Sequence, residues 1–220
     1  MQATETAYAS LRKGYRYGQG WVAALVLPWA AHVVTVYGPL GTRADLSEEP
    51  MRKLVYSVAM SLDGYVAGSK GESDWIVMDP EIDFDRMFAR FDTIILGRRT
   101  YETTRTRSGA GMPGIKSYVF SRSLQQADCR GVTVSDDPSR TVPALKAQPG
   151  KDIWLFGGGV LFRSLLELRL VDTVEIAVIP VLLGGGLPLL PDTSKRAELR
   201  LVEHHVYPKT GTVSLAYAVV

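Results

Sequence analysis

Cysteine and histidine are scarce in this chain of 220 residues, which has one cysteine, Cys129, and three histidines. A single cysteine cannot form an internal disulfide, and such usage is typical of a reducing compartment. The histidines His32, His204 and His205 form no C-x-x-C or H-E-x-x-H spacing, alone or with the cysteine. We therefore expect a cytoplasmic protein that has neither a disulfide nor a metal site.

An excess of one charge is also missing, because 25 lysines and arginines face 23 acidic residues and leave a formal net charge of +2. This balance provides no basic stripe that could follow a nucleic-acid backbone, so nucleic acid is not an expected partner. Hydrophobic residues make up 46% of the chain. That content is typical of one folded domain, alone or with an appendage, and not of a mainly disordered chain.

An apolar run, Trp21 to Val36, follows several basic residues near the N-terminus, which is the order found in signal peptides. The run is shorter than the roughly 20 residues of a transmembrane helix, and Pro28 interrupts it. No stable membrane span is therefore expected.

The composition changes again before Met51. Glycine, proline and acidic residues between Gly38 and Pro50 are typical of a linker, and a domain-like pattern begins at Met51. We predict an N-terminal extension over residues 1–50 and one domain over residues 51–220. Three interpretations of the extension remain open: a dispensable or spuriously translated leader, an export or membrane signal, and an element packed onto the domain.

Beyond Met51, short β-rich segments alternate with segments of helical periodicity. The predicted strands run from Leu54 to Met60, Thr93 to Leu96, Ser117 to Phe120, Ile153 to Phe156, Val174 to Val178, Leu199 to Tyr207 and Val213 to Val219. The predicted helices run from Pro80 to Phe91, with Asp79 as a possible N-cap, and from Val160 to Leu168. This order predicts an α/β fold with a mostly parallel central sheet flanked by helices and a C-terminal antiparallel hairpin.

Ligands of such sheets bind beyond the carboxyl ends of the strands. The predicted strand ends carry Ser61 to Gly64, Gly97 to Thr100, Ser121 with Arg122, and Gly157 to Gly159. Glycine allows close backbone approach, helix N-termini attract anions and arginine adds positive charge, so these ends predict a site for a phosphorylated dinucleotide. Each motif alone also fits a tight turn or solvated charges.

Five segments carry a family resemblance: VAMSLDGYVA, DTIILGRRTYE, KSYVFSRSL, DIWLFGGGVLFRSLL and VDTVEIAVIPVLLGGGLPLL. In this order they resemble the dihydrofolate reductase superfamily from Met51 to Val220. SLDGYVA and GRRTYE are most similar to the branch of the bacterial riboflavin-pathway reductase domain and of small stand-alone reductase-like proteins. The resemblance implies a dihydrofolate-reductase-like fold and a homodimer that pairs through the sheet and the C-terminal strands.

The resemblance also implies NADPH as the cofactor. Arg98, Arg99 and Thr100 would bind the pyrophosphate and 2′-phosphate region, and Ser121 and Arg122 would flank the adenosine 2′-phosphate. The other implied cofactor residues are Ala59 beside the nicotinamide, Gly97 at its strand end, and Gly157, Gly158, Gly159, Val160 and Leu161 beside the nicotinamide-side phosphate.

The resemblance indicates the substrate-binding residues less clearly than the cofactor-binding ones. In the folate enzymes an acid on the first helix, shortly after a tryptophan, orients the pterin, and Trp75 and Glu81 are the comparable residues here. Other acids in this stretch fit a helix cap or solvated positions. Asp63 is a candidate to bind substrate, or it forms the turn with Gly64.

Three functional hypotheses follow. The leading one is an NADPH-dependent reductase that transfers hydride to a small planar heterocycle of the pterin or pyrimidine type. The second is a stand-alone 5-amino-6-ribosylaminouracil phosphate reductase of riboflavin synthesis. The third is a non-catalytic nucleotide-binding module on the same fold.

Overall fold

The computed structural model describes residues 15–17, 20–22, 51–108, 114–192 and 195–220. The chain divides into two units between Pro50 and Met51. In the first unit, β1 (Tyr15–Tyr17) pairs with β2 (Gly20–Val22) in antiparallel orientation. Most of the predicted apolar run and the predicted linker lie outside the described residues. In the part of the chain that is described, no helix is both long enough and apolar enough to span a membrane.

The second unit alternates strands with helices. Its strands are β3 (Leu54–Ser61), β4 (Tyr65–Ala67), β5 (Phe91–Gly97), β6 (Lys116–Phe120), β7 (Thr133–Ser135), β8 (Asp152–Gly157), β9 (Thr173–Ile179), β10 (Leu187–Pro188), β11 (Leu199–Tyr207) and β12 (Thr212–Val219). Its helices are α1 (Phe84–Phe88), α2 (Arg98–Ser108), α3 (Pro138–Lys146) and α4 (Gly159–Glu167), with a 3₁₀ turn at Gln126–Asp128.

Eight of these strands form one sheet in the order β11-β12-β9-β3-β8-β5-β6-β7. Every pair from β9 to β7 is parallel, whereas β12 is antiparallel to both β9 and β11. Strands β4 and β10 form a separate antiparallel pair. The predicted α/β fold with a mostly parallel sheet and a C-terminal antiparallel hairpin is confirmed.

The sheet is packed on both faces, because alternate residues of its strands point to opposite sides. On one face, Ile153 and Leu155 of β8 join a cluster that includes buried residues of α3 and α4. On the other face, Trp154 joins a second cluster with Tyr101 of α2 and Phe88 of α1. Strands buried on both faces explain the near-continuous apolar runs from which they were predicted.

The start of the second unit is tied to the core by Arg52, which is only 4% exposed. Its guanidinium donates to the carboxylate of Asp92, to the hydroxyl of Thr93 (2.7 Å) and to the carbonyls of Lys151 and Leu145. A buried arginine is tolerated because these partners satisfy it. Residue 52 therefore belongs to the folded core of this unit.

The predicted first helix, from Pro80 to Phe91, was wrong at both ends. Helix α1 starts only at Phe84, where the carboxylate of Asp83 caps it by accepting from the amide of Arg86 (2.9 Å). At its other end, Phe91 already belongs to β5. The helical spacing of apolar residues here reflects a turn, one short helix and the start of a strand.

Asp79 is not the cap of that helix. It is 1% exposed, and its carboxylate accepts from the amide of Glu81 (2.9 Å) and from the hydroxyl of Thr210 (2.9 Å). The hydrogen bond from the Glu81 amide lowers the pKa of Asp79, and Thr210 lowers it further. These bonds hold residues 79–82 as a turn against the loop between β11 and β12, so no helix begins there.

Strand β7 and helix α3 were not predicted. Asp137 followed by Pro138 was the available signal, because the Asp137 carboxylate accepts from the amide of Arg140 (3.2 Å) and Pro138 lies in the first helical turn. Pro143 inside this helix obscures the periodicity.

We predict that residues 51–220 fold without residues 1–50, because the buried residues of both core clusters lie within them. The fragment should unfold cooperatively in urea, with a midpoint close to that of the full chain, as followed by circular dichroism. A fragment that is insoluble or melts without cooperativity, beside a cooperative full chain, would show that the extension is part of the core.

Candidate active site

A cleft of about 1940 Å³ begins at the carboxyl ends of β5 and β8 and continues over one face of the sheet toward β11. It brings together every residue that the resemblance implied for the cofactor, from four separate parts of the chain. These lining residues are Ala59, Gly97, Arg98, Arg99, Thr100, Ser121, Arg122, Gly157, Gly158, Gly159, Val160 and Leu161.

The ends of β5 and β8 approach each other closely where the cleft begins. Gly158 has φ +97°, and a Cβ there would lie 3.4 Å from the Thr100 hydroxyl oxygen and 3.6 Å from the Gly97 Cα. Only glycine adopts this backbone conformation without strain. Helices α2 and α4 therefore start side by side, with their N-terminal amides at the same edge of the sheet.

Basic side chains surround this edge. Arg98, Arg99 and Arg122 are exposed and line the cleft, and Arg98 pairs with Glu102 one turn along α2 at 3.1 Å. The Ser121 hydroxyl accepts from the amides of Ser123 (3.1 Å) and Leu124 (3.0 Å), which fixes the turn that carries Arg122. Helix N-termini and arginines at one place make a site for phosphate groups.

The floor of the cleft consists mainly of small side chains on the sheet. In one row Ala59 of β3 lies beside Ala177 of β9, which lies beside Ser214 of β12. In the next row Ser57 lies beside Glu175, which lies beside Ala216. Small residues on adjacent strands leave a flat and shallow surface.

Aromatic rings bound this floor on the side of β8. Trp154 lies 5.3 Å from Phe88 and 5.0 Å from Phe156 between ring centroids, and all three line the cleft. The Trp154 indole donates to the Ser57 carbonyl at 3.1 Å, which holds the ring in place. A flat floor with an aromatic wall is suited to a planar ring.

One charged residue interrupts the small-residue floor. Glu175 accepts from both terminal nitrogens of Arg90, at 2.7 and 3.3 Å, and both residues line the cleft. The hydrogen bonds that Arg90 donates to Glu175 raise the pKa of Arg90. We did not predict either residue as part of the site, although a glutamate within an apolar strand was an available signal.

Glu81 is the predicted substrate-side acid that the structure places in the cleft. Its carboxylate pairs with Lys209 at 3.0 Å, and both side chains are at least half exposed. The hydrogen bond to Glu81 raises the pKa of Lys209. The buried Asp79 holds this segment through the Glu81 amide.

Asp63 and Trp75 are absent from the described lining of the cleft. The Asp63 carboxylate accepts from the hydroxyl of Ser61 (2.6 Å) and from the amide of Gly184 (2.7 Å), and the Ser61 bond lowers its pKa. The Trp75 indole donates to the Glu72 carbonyl (3.2 Å). These contacts favour the turn interpretation of Asp63 and give Trp75 a local role.

His204 and His205, which we interpreted as structural, lie at the far end of the cleft on β11. Cys129 is buried in the second core cluster. Among the described residues, no group of three or more histidine, cysteine and acidic side chains could hold a metal ion.

Solved structures with the same arrangement define the fold class. A protein from Shewanella sp. PV-4 that is assigned by name to riboflavin biosynthesis matches with TM-score 0.65 and 24% identity, over 77% of this chain and 99% of its own. Dihydrofolate reductase from Enterococcus faecalis, solved with NADP(H), matches with TM-score 0.58 and 19% identity, over 76% of this chain and 96% of its own. The fold is that of dihydrofolate reductase.

Sequence comparison narrows the class to a family. The sequence model of the RibD C-terminal domain matches residues 52–213. The uncharacterized protein YyaP of Bacillus subtilis is 33% identical over 178 residues, which are 76% of this chain and 94% of YyaP. The chain belongs to the RibD C-terminal domain family, and the predicted branch of the superfamily is confirmed.

The close approach at Gly158 leads to a prediction with a matched control. Gly158→Val should abolish NADPH binding, because the side chain would occupy the space between the two strand ends. Gly184→Val provides the control, since Gly184 also has positive φ (+69°) but has open space around it and is not among the described cleft residues.

Both variants should lose stability through backbone strain, by about 1–2 kcal/mol, in thermal denaturation. Only Gly158→Val should lose NADPH binding in calorimetric titration. Unchanged NADPH affinity in a folded Gly158→Val protein would mean that this glycine serves only the turn.

Proposed function

We propose that this protein is an NADPH-dependent reductase that transfers hydride to a small planar heterocycle of the pterin or pyrimidine type. The observation that carries the proposal is the continuity of the cleft. Its phosphate-binding end, at Gly97–Thr100 and Gly157–Gly159, leads directly to the small-residue floor at Ala59. Membership in the RibD C-terminal domain family supports an oxidoreductase, and a structural neighbour is solved with NADP(H).

The residues at the strand ends fit a phosphorylated dinucleotide. Gly158 has a positive φ that favours glycine, a Cβ there would already contact Thr100 and Gly97, and the amides that open α2 and α4 face the same edge. We assign the pyrophosphate to these amides and the 2′-phosphate to Arg98 and Arg122. NADPH supplies the hydride when it is bound, and Ala59 lies at the floor where its nicotinamide would rest.

The substrate side needs to position a ring and exclude water. The aromatic wall at Trp154 and the small floor beside Ala59 provide a surface for stacking. Glu81 is held by Asp79 and Lys209 and lines the cleft, and it is assigned to orient the substrate through a polar hydrogen. Hydride transfer from a cofactor requires mainly orientation and electrostatics from the protein.

A riboflavin precursor, 5-amino-6-ribosylaminouracil phosphate, is the second candidate substrate, favoured by the family and by the name of the Shewanella neighbour. Loss of NADPH absorbance with this compound, against a panel of pterins and pyrimidines, distinguishes the two. Saturable NADPH binding without turnover of any compound would favour the non-catalytic module.

We also propose that the protein is a homodimer paired through its C-terminal strands. All of β11 except Tyr207 is exposed, and as an edge strand it presents free backbone groups. Leu199, Leu201 and Val206 are 44%, 48% and 52% exposed, and their β12 partners alternate along that strand, so the three share one face. An exposed apolar face on an edge strand is suited to a second copy.

Sedimentation velocity at micromolar concentration should therefore show a dimer. The double substitution Leu201→Arg with Val206→Arg should shift it to a monomer by placing charge on this face. NADPH affinity should not change, because neither residue is among the described lining of the cleft. A strictly monomeric wild-type protein would rule out the dimer.

Cofactor preference should reside in Arg98 and Arg122. A charge-assisted hydrogen bond contributes roughly 1.5–3 kcal/mol, so one arginine on the 2′-phosphate should give about a ten- to hundredfold preference for NADPH over NADH. Arg98→Ala or Arg122→Ala should weaken NADPH much more than NADH, because NADH lacks that phosphate. Arg99 has an alternative role on the pyrophosphate, in which case Arg99→Ala weakens both cofactors alike.

Arg130→Ala removes an exposed arginine that is not among the described cleft residues and serves as the control. Calorimetric titration with both cofactors measures the ratio of the NADPH and NADH affinities. Equal binding of NADPH and NADH by the wild type, or an unchanged ratio in both Arg98→Ala and Arg122→Ala, would mean that these arginines are ordinary solvated charges.

A further inference from the structure

The Arg90–Glu175 pair lies one row beyond the position assigned to the nicotinamide. Ala59 and Ser57 point to the same face of β3, and two residues along a strand are about 7 Å apart. Glu175 lies directly beside Ser57 in the register of the sheet. A fused two-ring heterocycle that begins over Ala59 therefore reaches Glu175 with its distal edge.

Glu81 lies on the opposite side of the Ala59 row from Glu175. It is held by Lys209 and by Asp79, whose partner Thr210 lies in the turn just before Thr212. Since Thr212 lies one row from Ser214 toward the carboxyl ends of β3 and β9, the two carboxylates are on opposite sides of the row that contains Ala59. Glu175 and Glu81 thus address different edges of one ring system.

The pair is a preorganised polar element beside the small side chains of the floor. The Glu175 side chain is 17% exposed, and one guanidinium fork holds both of its oxygens. Carboxylate oxygens accept more than one hydrogen bond, and a guanidinium has five N–H donors. On the side that faces the cleft, Glu175 can therefore still accept a hydrogen bond and Arg90 beside it can still donate one.

We propose that Arg90 and Glu175 are the specificity-determining pair of this site and that they bind the lactam edge of the substrate ring. Glu175 accepts a hydrogen bond from a ring N–H, and Arg90 donates to the adjacent carbonyl oxygen. This inference rests on the proposed function, because it takes the hydride-accepting end of the ring to lie over Ala59.

The charges around Arg90 favour a neutral lactam over an anionic substituent. Glu175 bonds Arg90 directly, and Asp152 and Glu203 act on it electrostatically. These three carboxylates would repel a phosphate or carboxylate group at this position. A neutral edge with one donor and one acceptor satisfies both members of the pair, whereas an edge without the N–H leaves the remaining acceptor capacity of the carboxylate unsatisfied, which is a basis for rejection.

The test uses the full chain saturated with NADP⁺ and two probes, lumazine and 1,3-dimethyllumazine, in calorimetric titrations. Lumazine has ring N–H groups next to carbonyls, and the dimethyl compound has the same ring without them. The wild type should bind lumazine at least about tenfold more tightly, since a hydrogen bond to a charged group is worth that factor. Equal affinities, or no binding of lumazine, would overturn the inference.

Two variants test whether the Arg90–Glu175 pair causes the difference in affinity between the two probes. Glu175→Gln and Arg90→Lys should each weaken the binding of lumazine about tenfold. The affinity for 1,3-dimethyllumazine should stay within about twofold of the wild-type value, because only the polar edge loses its partner. Glu198→Gln removes an exposed carboxylate that is not among the described cleft residues and should retain the discrimination. Equal losses for both probes would indicate a merely structural ion pair and would contradict the proposal.

Titration with NADP⁺ alone separates this inference from the proposed function. A wild-type protein that does not bind NADP⁺ would refute both. Unchanged NADP⁺ affinity in Glu175→Gln and Arg90→Lys, together with lost discrimination between the two probes, would support both. Unchanged discrimination in these variants beside normal NADP⁺ binding would refute only the role of the pair.

Discussion

The close approach of two parallel strand ends is the constraint on which this site depends. At Gly158 the backbone takes a conformation that only glycine adopts without strain, and a Cβ there would lie within contact distance of Gly97 and Thr100. Because β5 and β8 are adjacent and parallel, this contact makes α2 and α4 begin at one edge. A wider separation of the strand ends would place their helix N-termini on two different binding surfaces.

Two parts of the same sheet have different surroundings. Its centre is buried on both faces, with Tyr56 and Leu155 packed under α4 and Trp154 packed under α1. Toward β9 and β12 the helices no longer cover one face, and small residues such as Ala177 and Ala216 take the place of large ones. The transition from a covered to an uncovered sheet creates the floor of the cleft.

Sequence patterns predicted much of this arrangement for physical reasons. All seven predicted strands are present within two residues of their predicted bounds, because strands buried on both faces are nearly continuous apolar runs. Parallel topology then placed Gly97, Arg122 and Gly158 at one edge. Long-range polar pairs could not be predicted in this way. Asp79 meets Thr210, 131 positions away, and Arg90 meets Glu175, 85 positions away, and nothing in the local pattern links either pair.

The position of β12 has a consequence for the order in which the site is made. Although β12 follows β11 along the chain, it lies between β9 and β11 in the sheet, and Ala216 and Ser214 are part of the cleft floor. During synthesis, strands β3 to β9 emerge from the ribosome with the β9 edge still open. The floor closes only when residues up to Val219 have emerged, and the turn at Thr210 then fixes Asp79. A nascent chain can therefore bury its core before the floor of the cleft is complete.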